Sequence, residues 1–179
     1  MTPKSNWPNK ESREQWKIRG FLCAYDRLEH GSRMIVKEKR ERPDYLVMDP
    51  DSGRTIGVEL TSVYSSDRSA PDQHKQQLTS PQLIPFDQGE LEIYKRRLVE
   101  AIQGKVAKAR AGYDASHGLI LAVYVNEYIS IHMEQDDWEG LVKDHEATFD
   151  EMAPFNEVVF WNLHSEGVFS VQPDIEDVA

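Results

Sequence analysis

Apolar residues recur at helical spacing from Lys10 to His30, KESREQWKIRGFLCAYDRLEH, where Ile18, Phe21, Leu22, Tyr25 and Leu28 share one stripe and Gly31 follows as a stop. Three short β-favouring runs come next, in SRMIVKEKRERPDYLVMDPDSGRTIGVELTSVY. DPDSG supplies a turn between the second and third, which predicts a three-strand antiparallel meander. Ser65 to Gly89 is polar, holds three prolines and has no period, so a long loop is expected there. Helical spacing returns over Glu90 to Tyr113. HGLILAVYVNEY then reads as a buried strand, because it is almost continuously apolar and is bounded by Gly118 and Asn126. DDWEGLVKDHEATFDEM predicts a shorter helix, and EVVFWNL with GVFSVQP a hairpin turning at HSEG. The acidic end PDIEDVA is expected to fray.

These elements predict one mixed α/β (α+β) domain over residues 1–179: a core over about 10–126, the loop at 65–89, a C-terminal addition over 127–172 and a frayed tail at 173–179. The chain has 179 residues, 39% of them hydrophobic and 29% charged, a balance that predicts a globular chain and not a disordered one. No apolar run approaches the roughly 20 residues of a membrane span, and MTPKSNWPNKESREQW lacks the apolar core of a signal peptide. A cytoplasmic protein is the expectation. Cys23 is the only cysteine, which excludes an internal disulfide and a cysteine-rich zinc site.

The net charge of −10 argues against a nucleic-acid coat, but it is unevenly spread. From Glu134 onward there are 13 acids against the single base Lys143, whereas the first 133 residues hold 20 bases and 18 acids. Glu92–Arg110 holds six bases and two acids, and Arg33–Arg42 five and two. Such patches can hold phosphate locally, although a charge run taken alone is more often a solvated face.

Two carboxylates stand where neighbouring strands would bury them: Asp44, directly after Pro43, and Glu59, between Val58 and Leu60. Alternation puts Glu59 and Thr61 on one face of their strand, and Asp44 can share that face if the register allows. Paired carboxylates without a neutralising partner repel and desolvate at a cost of several kcal/mol, and a hard divalent cation removes that cost. On a helical wheel centred on Leu98, Leu91, Tyr94, Ile102, Ala109 and Tyr113 fall within about 60°, and Lys105 at about −20°, inside the apolar stripe. A lysine there either snorkels to water, forms a structural ion pair, or points at the Asp44–Glu59 cluster. Lys95 and Lys108 lie nearer the stripe's edges, and Arg96 and Arg97 outside its centre. In the first helix Glu14 and Glu29 also fall within the apolar stripe, and Glu14, nearer its centre, is the preferred third carboxylate. The histidines form no paired motif, and no Gly-x-Ser-x-Gly elbow or His-Glu-x-x-His is present.

Helix, three-strand meander, helix, strand resembles the core of the PD-(D/E)XK nuclease-like superfamily, the restriction-endonuclease-like fold. Pro43–Asp44 resembles its first metal-binding motif, and Glu59-Leu60-Thr61 its (D/E)-x-K with threonine in place of lysine. The resemblance covers roughly Lys10 to Asn126 and rests on short motifs. It implies a Mg²⁺- or Mn²⁺-dependent phosphodiesterase acting on nucleic acid, DNA more than RNA. Asp44, Glu59, the carbonyl of Leu60 and Glu14 would hold the metal. In this superfamily the motif lysine can move to the following helix, and Lys105 fits that pattern. Thr61 would bind water or phosphate, and Lys95, Arg96, Arg97 and Lys108 the nucleic-acid backbone. The resemblance also admits a homodimer or a protein partner, and a member of the fold that has lost catalysis and only binds.

Overall fold

The computed structural model describes residues 10–28, 33–64, 88–125, 133–162 and 169–173. Helix α1 spans Lys10–Leu28, followed by strands β1 (Ile35–Lys39), β2 (Tyr45–Met48) and β3 (Thr55–Val63). Helix α2 (Gln88–Arg110) leads to β4 (Leu119–Val125). Helices α3 (Gln135–Asp144) and α4 (Glu146–Asp150) precede β5 (Glu157–Trp161) and β6 (Phe169–Val171). Of the loop expected at 65–89, residues 65–87 lie outside the described residues and 88–89 already begin α2; the end of the fourth predicted strand beyond Val125, the hairpin turn at His164–Gly167, the tail from Asp174 and Glu29 also lie outside them.

The six strands form one mixed sheet in sequential order, β1-β2-β3-β4-β5-β6. The predicted meander is present: β1–β2 and β2–β3 pair antiparallel, with Tyr45 opposite Val58. The DPDSG turn closes through Gly53, whose φ of 71° favours glycine, with its N–H donating to the Asp49 carbonyl. The pairs β3–β4 and β4–β5 are parallel, and β5–β6 returns antiparallel. Every residue of β4 is buried, as its unbroken apolar run requires between two parallel neighbours. β1 is exposed throughout, an edge strand bearing Lys37, Glu38 and Lys39 with an irregular register between Val36 and Glu38, features that discourage edge-to-edge pairing.

The sheet is covered on both faces. α1 packs Ile18, Phe21, Leu22 and Tyr25 against Val58, Ile120, Tyr124 and Trp161. α2 packs Leu91, Tyr94, Leu98 and Ile102 on the other face against Leu121, Val123 and Phe160, joined by Trp138 and Leu141 of α3 and Phe149 of α4. Cys23 points outward from α1.

Two elements depart from the sequence pattern. The single helix expected over residues 136–152 breaks at His145, whose φ of −128° is not helical, into α3 and α4. The helix expected to reach Tyr113 ends at Arg110. Gly112 follows, with its N–H on the Ala109 carbonyl, and Tyr113 enters a loop.

Candidate functional site

The register decides where the carboxylates point. Tyr45 and Val58 face each other across β2–β3 and belong to the α1 side. Their neighbours Asp44 and Glu59 therefore face α2, as does Thr61, beside Leu121 and Val123 of β4. The strands approach closely here because Gly57 lacks a side chain. A Cβ at that position would stand 2.6 Å from Leu119 Cδ2 and 2.7 Å from Pro43 Cγ. Pro43 follows a cis peptide bond, is buried, and delivers Asp44 to the start of β2.

The two acids are tied to each other's strands. Asp44 Oδ2 accepts the Leu60 amide at 2.8 Å, and Glu59 Oε2 accepts the Asp44 amide at 3.2 Å. Glu59 is only 3% exposed. Its other oxygen, Oε1, accepts Lys105 Nζ at 2.5 Å and the Tyr113 hydroxyl at 2.8 Å. Lys105 Nζ also donates to the Leu60 carbonyl at 3.1 Å. The lysine that the helical wheel sets in the apolar stripe of α2 thus rises between buried Ile102, Val106 and Ala109 and spends its charge on Glu59. Of the three fates open to Lys105 from the sequence, the contact observed is an ion pair made within the Asp44–Glu59 cluster, which joins the second and third.

Negative charge remains in excess. Burial, and next the Glu59 carboxylate, push the Asp44 carboxyl above the usual carboxylate range, against the opposing pull of the Leu60 amide and the Lys105 ammonium. Glu14 adds a smaller upward push. Burial and the hydrogen bond to Glu59 drive the Tyr113 phenol well above its ordinary value, so it stays a donor.

The remaining predicted residues divide. Glu14 pairs with Lys39 at 2.9 Å, close enough for its charge to reach Asp44 but engaged elsewhere. Thr61 is half-buried on the Glu59 face and makes no side-chain hydrogen bond among the described residues. Lys95 is held by Asp137 at 3.1 Å and Glu92 at 3.4 Å. Arg97 donates to the Tyr64 carbonyl at 3.4 Å, whereas Arg96 and Lys108 are exposed. Tyr113 is a site residue that the sequence pattern counted only as part of the helix stripe. Lys17 was also missed: on the α1 side of β3 its ammonium donates to Ser62 Oγ at 2.5 Å and lies 5.6 Å from the centre of the Tyr124 ring. Burial and neighbouring Arg13 lower the Lys17 pKa. Neither residue carried a motif.

Among the described residues no group of three or more histidine, cysteine, aspartate or glutamate side chains is arranged to hold a metal ion. The donor set that does converge is two carboxylates and one backbone carbonyl, all hard oxygen. Mg²⁺ is commonly held by one or two carboxylates, with water and substrate phosphate completing its shell. By the chemistry of its donors this set fits such an ion, whose charge would also offset the Glu59 repulsion that stands second to burial in raising the Asp44 carboxyl. A separate cavity of about 300 Å³, with Tyr25 donating to buried Glu157 at 2.9 Å in its wall, shares no residue with this cluster.

Comparison with known proteins gives no further guide: no family model, no curated protein and no solved structure matches the chain.

Proposed function

We propose that the protein is a divalent-metal-dependent phosphodiesterase acting on nucleic acid, with DNA the expected substrate, built on a restriction-endonuclease-like core. The observation that carries this reading is the meeting of Asp44, Glu59, the Leu60 carbonyl and Lys105, delivered by β2, β3 and α2 to one point on one face of the sheet. The order of elements through β4 also matches the core that the resemblance implies.

In this reading Asp44, Glu59 and the Leu60 carbonyl hold Mg²⁺ or Mn²⁺. The bound ion supplies Lewis acidity at the scissile phosphate. Lys105 offsets the negative charge that builds on the phosphoryl oxygens as the water–phosphorus bond forms and the ester bond breaks. Thr61 donates its hydroxyl to the phosphate, and Tyr113 holds Glu59 in place. Exposed Arg96 and Lys108 on α2 engage the flanking backbone.

Calorimetric titration of Mg²⁺ and Mn²⁺ into the protein and an Asp44→Ala/Glu59→Ala double mutant, beside cleavage assays on single- and double-stranded DNA, tests the reading. Metal binding and metal-dependent cleavage, both lost in the mutant, support it. No metal binding by the wild type, with or without nucleic acid present, sinks it.

Two observations favour a second reading, a nucleic-acid- or protein-binding module without catalysis. Lys105 already neutralises Glu59, and threonine stands where the motif has lysine. Nucleic-acid binding indifferent to divalent ions would favour that module.

A further inference from the structure

We propose that Lys105 is a built-in competitor of the metal: its ammonium fills the cation position between Glu59 and Leu60 and must leave before a divalent ion binds. The inference rests on the metal-dependent reading above. Two of the oxygens assigned to the ion, Glu59 Oε1 and the Leu60 carbonyl, both accept from Lys105 Nζ, at 2.5 and 3.1 Å. Mg²⁺ shared by the same two oxygens would stand about 2.0–2.1 Å from each. The two positions nearly coincide, and both occupants are cations.

The carboxylates cannot easily turn away to offer other atoms. Glu59 Oε2 holds the Asp44 amide and Oε1 the Tyr113 hydroxyl, while Asp44 Oδ2 holds the Leu60 amide. Glu59 is buried within this frame. The movable part is Lys105, a point charge on a flexible four-carbon stem whose side chain keeps 20% of its surface exposed. Its exit frees an ammonium at the rim of the site, where an incoming phosphate can accept it. Metal and nucleic acid should therefore help each other bind, since the phosphate takes up the cation that the metal expels.

The test is a Mn²⁺ titration by calorimetry of the wild type and Lys105→Met, which keeps the apolar stem and removes the charge. Lys105→Met should bind Mn²⁺ roughly tenfold or more tightly, the scale on which one adjacent like charge acts on a site. Metal binding by Lys105→Met alone supports displacement equally. Equal affinity in both proteins, or tighter binding by the wild type, overturns displacement and leaves the metal site standing. Absence of binding in both overturns the metal site and the inference with it. A second measurement uses only the wild type, in case Lys105→Met does not fold. Acylation of Lys105 by an amine-reactive reagent, read by peptide mass spectrometry, should quicken severalfold with saturating Mn²⁺. An unchanged or slower rate overturns the proposal.

Discussion

Glu59 is the residue on which the site turns, because three groups meet its two oxygens and it has almost no contact with water. Removing its cation should be costly: breaking a buried ion pair leaves an uncompensated charge worth about 3–5 kcal/mol, less here because Lys105 is partly exposed. Lys105→Met should lower the thermal midpoint in metal-free buffer, and Mn²⁺ should restore more of it than it adds to the wild type. Differential scanning calorimetry with and without Mn²⁺ reads both quantities. Tyr113→Phe removes one donor to a charged acceptor and should cost about 1–2 kcal/mol in urea unfolding. Asp44 should behave in the opposite way. Its folded pKa is raised, so between the unfolded value and the raised one the native state binds more protons than the unfolded chain. The contribution of Asp44 to stability should fall as pH rises through that window and stay lower above it. Asp44→Asn keeps an acceptor for the Leu60 amide and should lack this fall. It should match or exceed the wild type in stability at neutral pH while losing Mn²⁺ affinity, and paired unfolding curves across acidic and neutral pH would show the divergence.

At the scale of elements, the meander, α2 and β4 are legible because their signals are local. Three short β-favouring runs with a glycine turn predict β1 to β3, a stripe at helical spacing predicts α2, and an unbroken apolar run predicts β4. The Asp44–Glu59 pair is legible for the same reason, since strand alternation and a short turn nearly fix their common face. Lys105 is legible as an anomaly in an apolar stripe. The pattern offers the Asp44–Glu59 cluster only as one of three alternatives, because the contact joins residues 46 apart in sequence. Tyr113 was out of reach for a related reason: the stripe gives its direction, but the end of α2 is set by Gly112 and the turn that follows. The break at His145 has no proline or glycine to announce it. Gly57 also looks ordinary in sequence, yet it sets the spacing of β2, β3 and β4. Gly57→Ala would press on buried Leu119 and the Pro43 ring, neither free to move, and should cost about 1–3 kcal/mol. Since Pro43 carries Asp44, the same change should weaken Mn²⁺ binding. Calorimetry showing normal affinity in a folded Gly57→Ala protein would disprove that coupling.

For the whole molecule, charge and sheet order act together. The sequential sheet keeps the meander on one side of β4 and the acid-rich C-terminal elements on the other. Under the proposed function, nucleic acid would bind on the meander and α2 side, with the remaining acidity opposing non-specific contact. Affinity for duplex DNA should fall with salt, the logarithmic slope shrinking by about 0.9 for each phosphate contact removed. Arg96→Ala/Lys108→Ala should show that shrinkage, and Lys95→Ala should not, because Asp137 and Glu92 already hold its charge. Fluorescence anisotropy over a salt series measures both. No described helix is long and apolar enough to cross a membrane. The outward-facing thiol on α1 has a practical use as well. Cys23 is the sole cysteine and lies nine residues beyond Glu14, about 13 Å along the helix axis at 1.5 Å per residue. A nitroxide attached there needs no engineered attachment point, and its paramagnetic coupling to bound Mn²⁺ would give the distance from α1 to the ion with every site residue intact.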